Sequence, residues 1–201
     1  MFVLYGSAAS PFVRTVRVTL AETGLLQGTE LRDVRADALD PDPALTAANP
    51  LAKIPALGRQ DGPTLYDSRV ICRYLDARSD AGLYPESRLW EILTLEATAH
   101  GVMEAAVAMV YEARFRPEDK VHEPWIEAQW SKVARALDAV ESRWSSHLAG
   151  RVTAAQIALA CALGYLDLRH DARAWRTGRP TLAGWQAGFA ERDSMRDSAP
   201  A

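Results

Sequence analysis

The spacing of apolar positions changes along the chain in a way that divides it in two. Residues 2–5 form a short, wholly apolar run of strand length, followed by a small-residue loop over 6–9. Ser10-Pro11 then opens a helix, with serine suited to the N-cap and proline to the first helical position. Val13, Val16 and Leu20 give this helix a buried face, Arg14 and Arg17 point elsewhere, and Gly24 ends it. Residues 31–34 read as a second strand, so the opening is β-α-β with parallel strands. A polar, proline-punctuated passage over 37–43 leads to the stretch 49–75. There Ala56-Leu57-Gly58 and Thr64-Leu65-Tyr66 read as hairpin strands about the turn Gln60-Asp61-Gly62-Pro63. Val70, Ile71, Tyr74 and Leu75 carry helical spacing after Asp67-Ser68. The prediction for residues 1–78 is a βαβ-ββα domain with a four-stranded mixed sheet.

Around Ser79-Asp80-Ala81-Gly82 the composition shifts, and an all-helical domain is expected over 86–201. A long helix over 88–113 places Ile92, Leu95, Ala99, Met103, Val107 and Val110 on its inner face. The next helix, over 123–148, carries Ile126, Trp130, Val133, Leu137, Val140 and Trp144 as a packing seam. Thr153 is a helix cap with Gln156 as its reciprocal partner, and Val152 can staple onto Ile157. The apolar run over 154–166 is too short to span a bilayer and fits a helix buried all round. A last helix over 182–192 precedes a tail that reads as frayed.

Composition narrows the function classes. With 48% hydrophobic and 24% charged residues, the chain is an ordinary soluble globular protein. A net charge of −3, a pI near 5.8 and the lack of a long basic run argue against nucleic acid as a partner. Cys72 and Cys161 sit far apart in apolar helical patterns and read as buried small hydrophobes. His122, His147 and His170 lack metal-ligand spacing and read as surface residues, and no phosphate-binding glycine loop is present. Residues 2–5 are too short for a secretory signal and no basic residue precedes them, so a reducing cytoplasm is the expected location.

Candidate chemistry concentrates in two places. Pro55 cannot donate to a ladder and belongs at the start of a strand. A cis Ile54-Pro55 bond would turn the chain sharply and leave the N–H and C=O of Ile54 for an added, extended peptide. With Lys53, Asp67, Ser68 and a helix N-terminus nearby, such a site suits a small, charged, extended peptide. Ser10 adds a hydroxyl at a second helix start.

Four segments together resemble the glutathione S-transferase family: Ser10-Pro11-Phe12-Val13-Arg14, residues 49–57 (NPLAKIPAL), Tyr66-Asp67-Ser68, and residues 153–168 (TAAQIALACALGYLDL). Their order and spacing match over nearly the whole chain, with a serine-type, tau- or omega-like bacterial flavour. The resemblance implies a thioredoxin-like glutathione-binding domain followed by a helical-bundle domain. It implies that Ile54, beside a cis Pro55, receives the cysteinyl part of glutathione, with Lys53 near the glycyl carboxylate. Asp67 and Ser68 would take the γ-glutamyl group, Phe12 would join the glutathione contacts, and Ser10 would occupy the catalytic position. It also implies a homodimer, with no metal or prosthetic group. Two positions depart from the pattern: Gln156 stands for a usual aspartate, and His100 sits in Ala-His-Gly where similar bacterial sequences commonly read Ala-Asp-Gly.

On this reading, Ser10 raises the thiolate fraction of glutathione. Lowering a thiol pKa by about two units takes roughly 2.7 kcal/mol of preferential thiolate binding. A hydroxyl donor and a helix dipole worth about 0.3–2 kcal/mol can supply that. Tyr5 and Ser7 are alternative hydroxyls. Ser10-Pro11-Phe12-Val13 contains no sulfur, which excludes a dithiol or mixed-disulfide mechanism there. The small electrophile is expected between the first domain and the long helix, with Phe12, Met103, Val107, Tyr111 and Arg114 as candidates. The rival readings are a non-catalytic protein that binds glutathione or a partner, and a glutathione-dependent isomerase, peroxidase or dehalogenase.

Overall fold

The computed structural model describes residues 1–200, which form two compact units. The first comprises Met1–Arg88 and the segment from Arg192 onward; the second is Leu89–Glu191.

In the first unit, β1 (Phe2–Gly6), α1 (Pro11–Glu22), β2 (Thr29–Asp33), α2 (Pro43–Ala48), β3 (Ala56–Arg59) and α3 (Ser68–Ser79) follow in order. The sheet runs β2-β1-β3, with β2 parallel to β1 and β3 antiparallel to it. Leu4, Leu57, Val16, Leu20, Leu45, Ile71 and Leu75 are fully or almost fully buried and make the core. Ser10 caps α1 and Pro11 follows it, as the sequence predicts. At Gly6 an added Cβ would lie 2.6 Å from Val13 Cγ1, so only glycine lets β1 approach α1 this closely.

Two features of this unit differ from the sequence prediction. The expected fourth strand is a single bridge, with Leu57 and Leu65 exchanging N–H···O=C bonds of 2.9 Å. Pro63 offers no N–H, Arg59 Nε donates to its carbonyl across the turn, and two residues beyond Leu65 the chain is already capping α3. Conversely, the polar passage holds a helix: Asp42 accepts from the Ala44 N–H at 2.8 Å, Pro43 follows, and Leu45 is buried.

The second unit contains α4 (Leu89–Phe115), α5 (Glu123–Ala139), α6 (Ser145–Leu148), α7 (Ala154–His170) and α8 (Pro180–Ala190). Helix α4 packs against both α5 and α7, so its buried surface is wider than one stripe. Val102, Ala105, Ala106 and Met109 are buried on it, whereas Val107 and Val110, expected inside, are half-exposed. The single helix expected over 123–148 is interrupted by a π turn at Val140–Trp144. That turn carries Glu141, whose carboxylate accepts the N–H groups of Thr181 and Leu182 at 3.0 and 2.7 Å and so caps the start of α8. Helix α7 is buried nearly all round, and its Gln156 Oε1 accepts from the Thr153 N–H at 2.7 Å. His170, expected at the surface, is half-buried with Nε2 2.9 Å from the Ala106 carbonyl. Burial, reinforced by Arg173 and Arg169, lowers its pKa despite that hydrogen bond.

The segment after Arg192 is not frayed. It forms α9 (Asp193–Arg196), which packs on α1 with Met195 and Ser198 buried.

Candidate functional site

Sheet register gathers the predicted site residues of the first unit at one end. Strand β1 stops at Gly6, and a three-residue loop leads to Ser10. Antiparallel pairing sets Ala56 opposite Tyr5, so Pro55 and Ile54 fall just past that end. The Leu57–Leu65 bridge, continued in the same register, brings Asp67 level with Pro55. Ser10, Ile54-Pro55 and Asp67-Ser68 therefore surround the carboxyl end of β1, where α/β sheets most often seat ligands.

Ser10 is half-buried, and its Oγ accepts the Val13 N–H at 3.3 Å. Accepting that bond leaves the hydroxyl proton to be donated elsewhere. The first turn of α1 has no acidic residue to offset the positive end of its dipole, so an anion is favoured there.

Ile54 is held by its neighbours rather than by a ladder. Asn49 is 1% exposed; its Nδ2 donates to the Lys53 carbonyl at 2.8 Å and its Oδ1 accepts from the Leu51 N–H at 3.0 Å. Ala52 takes φ +52° inside this loop, and the Ile54–Pro55 peptide bond is cis. Neither the N–H nor the C=O of Ile54 has a backbone partner among the described residues. Lys53 is exposed and Pro55 buried.

Asp67 caps α3, accepting the N–H groups of Arg69 and Val70 at 3.0 and 3.4 Å, and pairs with Arg69 Nη2 at 3.0 Å. Partial burial would raise its pKa, but the Arg69 guanidinium and the two N–H groups outweigh that and lower it. Its side chain is 54% exposed, so the charge stays available to a cation from solvent. Ser68 is buried in the first turn.

The remaining candidates divide. Phe12 is half-exposed in the first turn of α1. The Tyr5 hydroxyl accepts from Arg32 Nη1 at 3.1 Å, and its ring lies beneath that guanidinium and 3.6 Å from where a Cβ on Gly58 would stand. Tyr5 is thus occupied in packing. Ser7 accepts from the Ser10 N–H through its carbonyl at 3.2 Å. Met103, Val107, Tyr111 and Arg114 lie on α4 in the second unit; Met103 is fully buried, Val107 half-exposed, and Tyr111 and Arg114 exposed. His100, also on α4, is buried.

Sequence reasoning missed the role of Asn49, naming it only within the segment 49–57; its place before Pro50 and four residues ahead of Lys53 was the available signal. No group of three His, Cys, Asp or Glu side chains suited to a metal occurs among the described residues, and no described helix is long and apolar enough to cross a membrane.

The family model of the glutathione S-transferase N-terminal domain matches residues 4–82, and that of the C-terminal domain matches residues 123–186. Among solved structures, a glutathione transferase family member from Pseudomonas fluorescens Pf-5 with bound glutathione is 42% identical, with 100% of each chain covered and a TM-score of 0.97. A structure of a family member from the same organism with bound S-(propanoic acid)-glutathione matches at 40% identity over 100% of each chain, with a TM-score of 0.92. The uncharacterized GST-like protein YibF of Escherichia coli (strain K12) is 31% identical over 202 residues, with 98% of each chain covered.

Proposed function

The chain belongs to the glutathione S-transferase family, and from that premise we propose that it is a glutathione transferase whose Ser10 activates the glutathione sulfur for attack on a small electrophile. Glutathione lies extended across the carboxyl end of β1. Its cysteinyl backbone adds to the N–H and C=O of Ile54 as a strand would. Lys53 stands near the glycyl carboxylate, Asp67 takes the γ-glutamyl ammonium, and the first turn of α3 at Ser68 takes its carboxylate. Phe12 borders the cysteinyl side chain.

The observation that carries this reading is the state of Ser10: its Oγ accepts from Val13, so its O–H is free to donate to a thiolate at the positive end of α1. The thiol gives its proton to solvent and the thiolate attacks the electrophilic carbon to form a sulfur–carbon bond. Either the bond to a leaving group breaks and that group departs with its electron pair, or the attacked double bond's pair moves to the neighbouring atom and takes a proton from solvent. Ser10 stabilises the anion before attack. Val107, Tyr111 and Arg114 are offered as contacts of the electrophile; Met103, fully buried in the helical core, has no surface to offer it. The active protein is a cytoplasmic homodimer that uses glutathione as co-substrate and needs no metal. Glutathione and a glutathione thioether bound in the two similar structures support this class of chemistry.

An ultraviolet difference spectrum of the protein with glutathione, titrated against pH, tests it. Thiolate absorbance at neutral pH is the expected result. A thiol that titrates only at its ordinary pKa would overturn the enzyme reading and favour a glutathione- or partner-binding protein.

A further inference from the structure

Three polar anchors lie along α1, and all of them end on residues from Arg192 onward. Near the start of the helix, Arg14 donates from Nη2 to the Met195 carbonyl at 3.0 Å and from Nε to the Ser198 hydroxyl at 3.4 Å. One turn on, Arg17 Nη2 donates to the Asp197 carbonyl at 3.1 Å. At the helix end, both oxygens of Glu22 accept from Arg192, at 2.9 and 2.8 Å, and Oε1 also accepts from the Ser194 hydroxyl at 2.5 Å. Met195 and Ser198 are buried between these anchors.

The local stability of α1 does not account for this arrangement. Arg14 and Arg17 are like charges three residues apart, close to a helix N-terminus that repels cations. Burial and its neighbour Arg14 both lower the Arg17 pKa. Their carbonyl partners follow or close the last turn of α9, where cations are favoured. The gain therefore lies in the docking of the segment, and the docking reaches the chemistry within one turn. The Arg14 N–H bonds to the Ser10 carbonyl at 2.9 Å, in the same turn whose Val13 N–H bonds to Ser10 Oγ.

We propose that residues 192–200 are a positioning clasp for α1, whose anchors on Arg14, Arg17 and Glu22 set where the Ser10 hydroxyl and the first-turn amides stand relative to the glutathione sulfur. The inference rests on the role given to Ser10 above. None of the clasp residues is assigned a contact with glutathione; they act through the helix. A donor must be held within about 0.5 Å of its productive place to work fully. Two arginines and a glutamate spread over the helix limit both its slide and its tilt.

The test uses the full chain. Arg192→Glu opposes Glu22 with a like charge, the swap Glu22→Arg/Arg192→Glu restores an ion pair, and Arg14→Gln is a milder loss at the other end. The readouts are the pH titration of the thiolate absorbance of bound glutathione and the dissociation constant of glutathione. Arg192→Glu and Arg14→Gln are expected to move the bound thiol toward its ordinary pKa by about one unit, about tenfold less thiolate at a pH below both values, and the swap to recover most of it. Glutathione affinity should change by less than about threefold, because the Ile54 and Asp67 contacts remain. A lower melting temperature with an unchanged bound-thiol titration would overturn the clasp and leave Ser10 in place. A wild-type protein whose bound thiol titrates ordinarily would overturn the Ser10 reading and the clasp with it. Should Arg192→Glu fail to fold, Arg14→Gln and the swap give the same comparison.

Discussion

Replacing Ser10 by alanine separates the structural and chemical uses of one hydroxyl, because the two effects differ in size. The structural use is the cap on α1. Its Oγ···N distance is 3.3 Å and the residue is half-buried, so the loss belongs at the low end of N-cap substitutions, about 0.5–1 kcal/mol. The proposed chemical use is one hydrogen bond to a thiolate beside the N-termini of α1 and α3. Removal of a single preorganised donor to an anion lowers turnover by about 10²-fold, about 2.7 kcal/mol. Denaturant unfolding measures the first loss; turnover with a reactive general electrophile, together with the thiolate absorbance of bound glutathione, measures the second. The expected result for Ser10→Ala is a protein almost as stable as wild type, with glutathione affinity nearly intact and the bound thiol returned toward its ordinary pKa. Ser10→Thr keeps both the cap and the donor and should recover much of the activity. If Ser10→Ala turns over at the wild-type rate, the assignment fails and a different donor must be found. Tyr5, whose hydroxyl accepts from Arg32 and keeps its own proton, would then have to turn that proton to the sulfur, or Ser7 would have to reach it from the preceding loop.

Three further substitutions follow from the same geometry. Asp67→Asn keeps a good cap for α3 but removes the charge, so glutathione affinity should fall about tenfold with a small loss of neutral-pH stability; equal affinity by titration calorimetry would displace the γ-glutamyl group from Asp67. The folded-state pKa of Asp67 is lowered, so its stabilisation is present above the ordinary carboxylate range and lost as pH falls through the lowered value. Acid unfolding of Asp67→Asn should lack that part of the slope. Gly6→Ala places a methyl 2.6 Å from Val13 and should cost about 1–3 kcal/mol in denaturant unfolding; a neutral result would mean β1 and α1 can separate freely. Glu141→Ala uncaps α8 and should cost about 1 kcal/mol, with hydrogen exchange accelerated at the Thr181 and Leu182 amides; unchanged exchange at both would refute the cap.

The residues assigned to the site were legible because they punctuate the backbone. Ser10-Pro11 announces a helix start, Pro55 a strand start and Asp67 a cap, and each acts on a local run of chain that a sequence displays. The same logic failed where the deciding partner is distant. Helix α2 carries one buried apolar side chain in six residues, too few for a period to show. The π turn at Val140–Trp144 coincides with a glutamate capping a helix forty residues later. His170 is drawn inward to a carbonyl 64 positions away. Helix α4 buries more of its surface than one stripe because it meets two neighbours.

Arg14 and Arg17 show the limit most clearly. In a sequence they read as the solvated side of an amphipathic helix, which is the usual fate of arginines spaced three apart. Their partners are carbonyls at 195 and 197, and a carbonyl has no signature in a sequence. The residues chosen for chemistry therefore stood out, while those that anchor α1 looked like ordinary surface. That asymmetry follows from physics. A cap or a proline is selected by φ, ψ and its next few neighbours. The placement of a whole helix depends on anchors that only the folded chain brings within reach. Substitutions at the far end of the chain, at Arg192 or Ser194, should therefore register in the chemistry at Ser10 even though no local pattern links them.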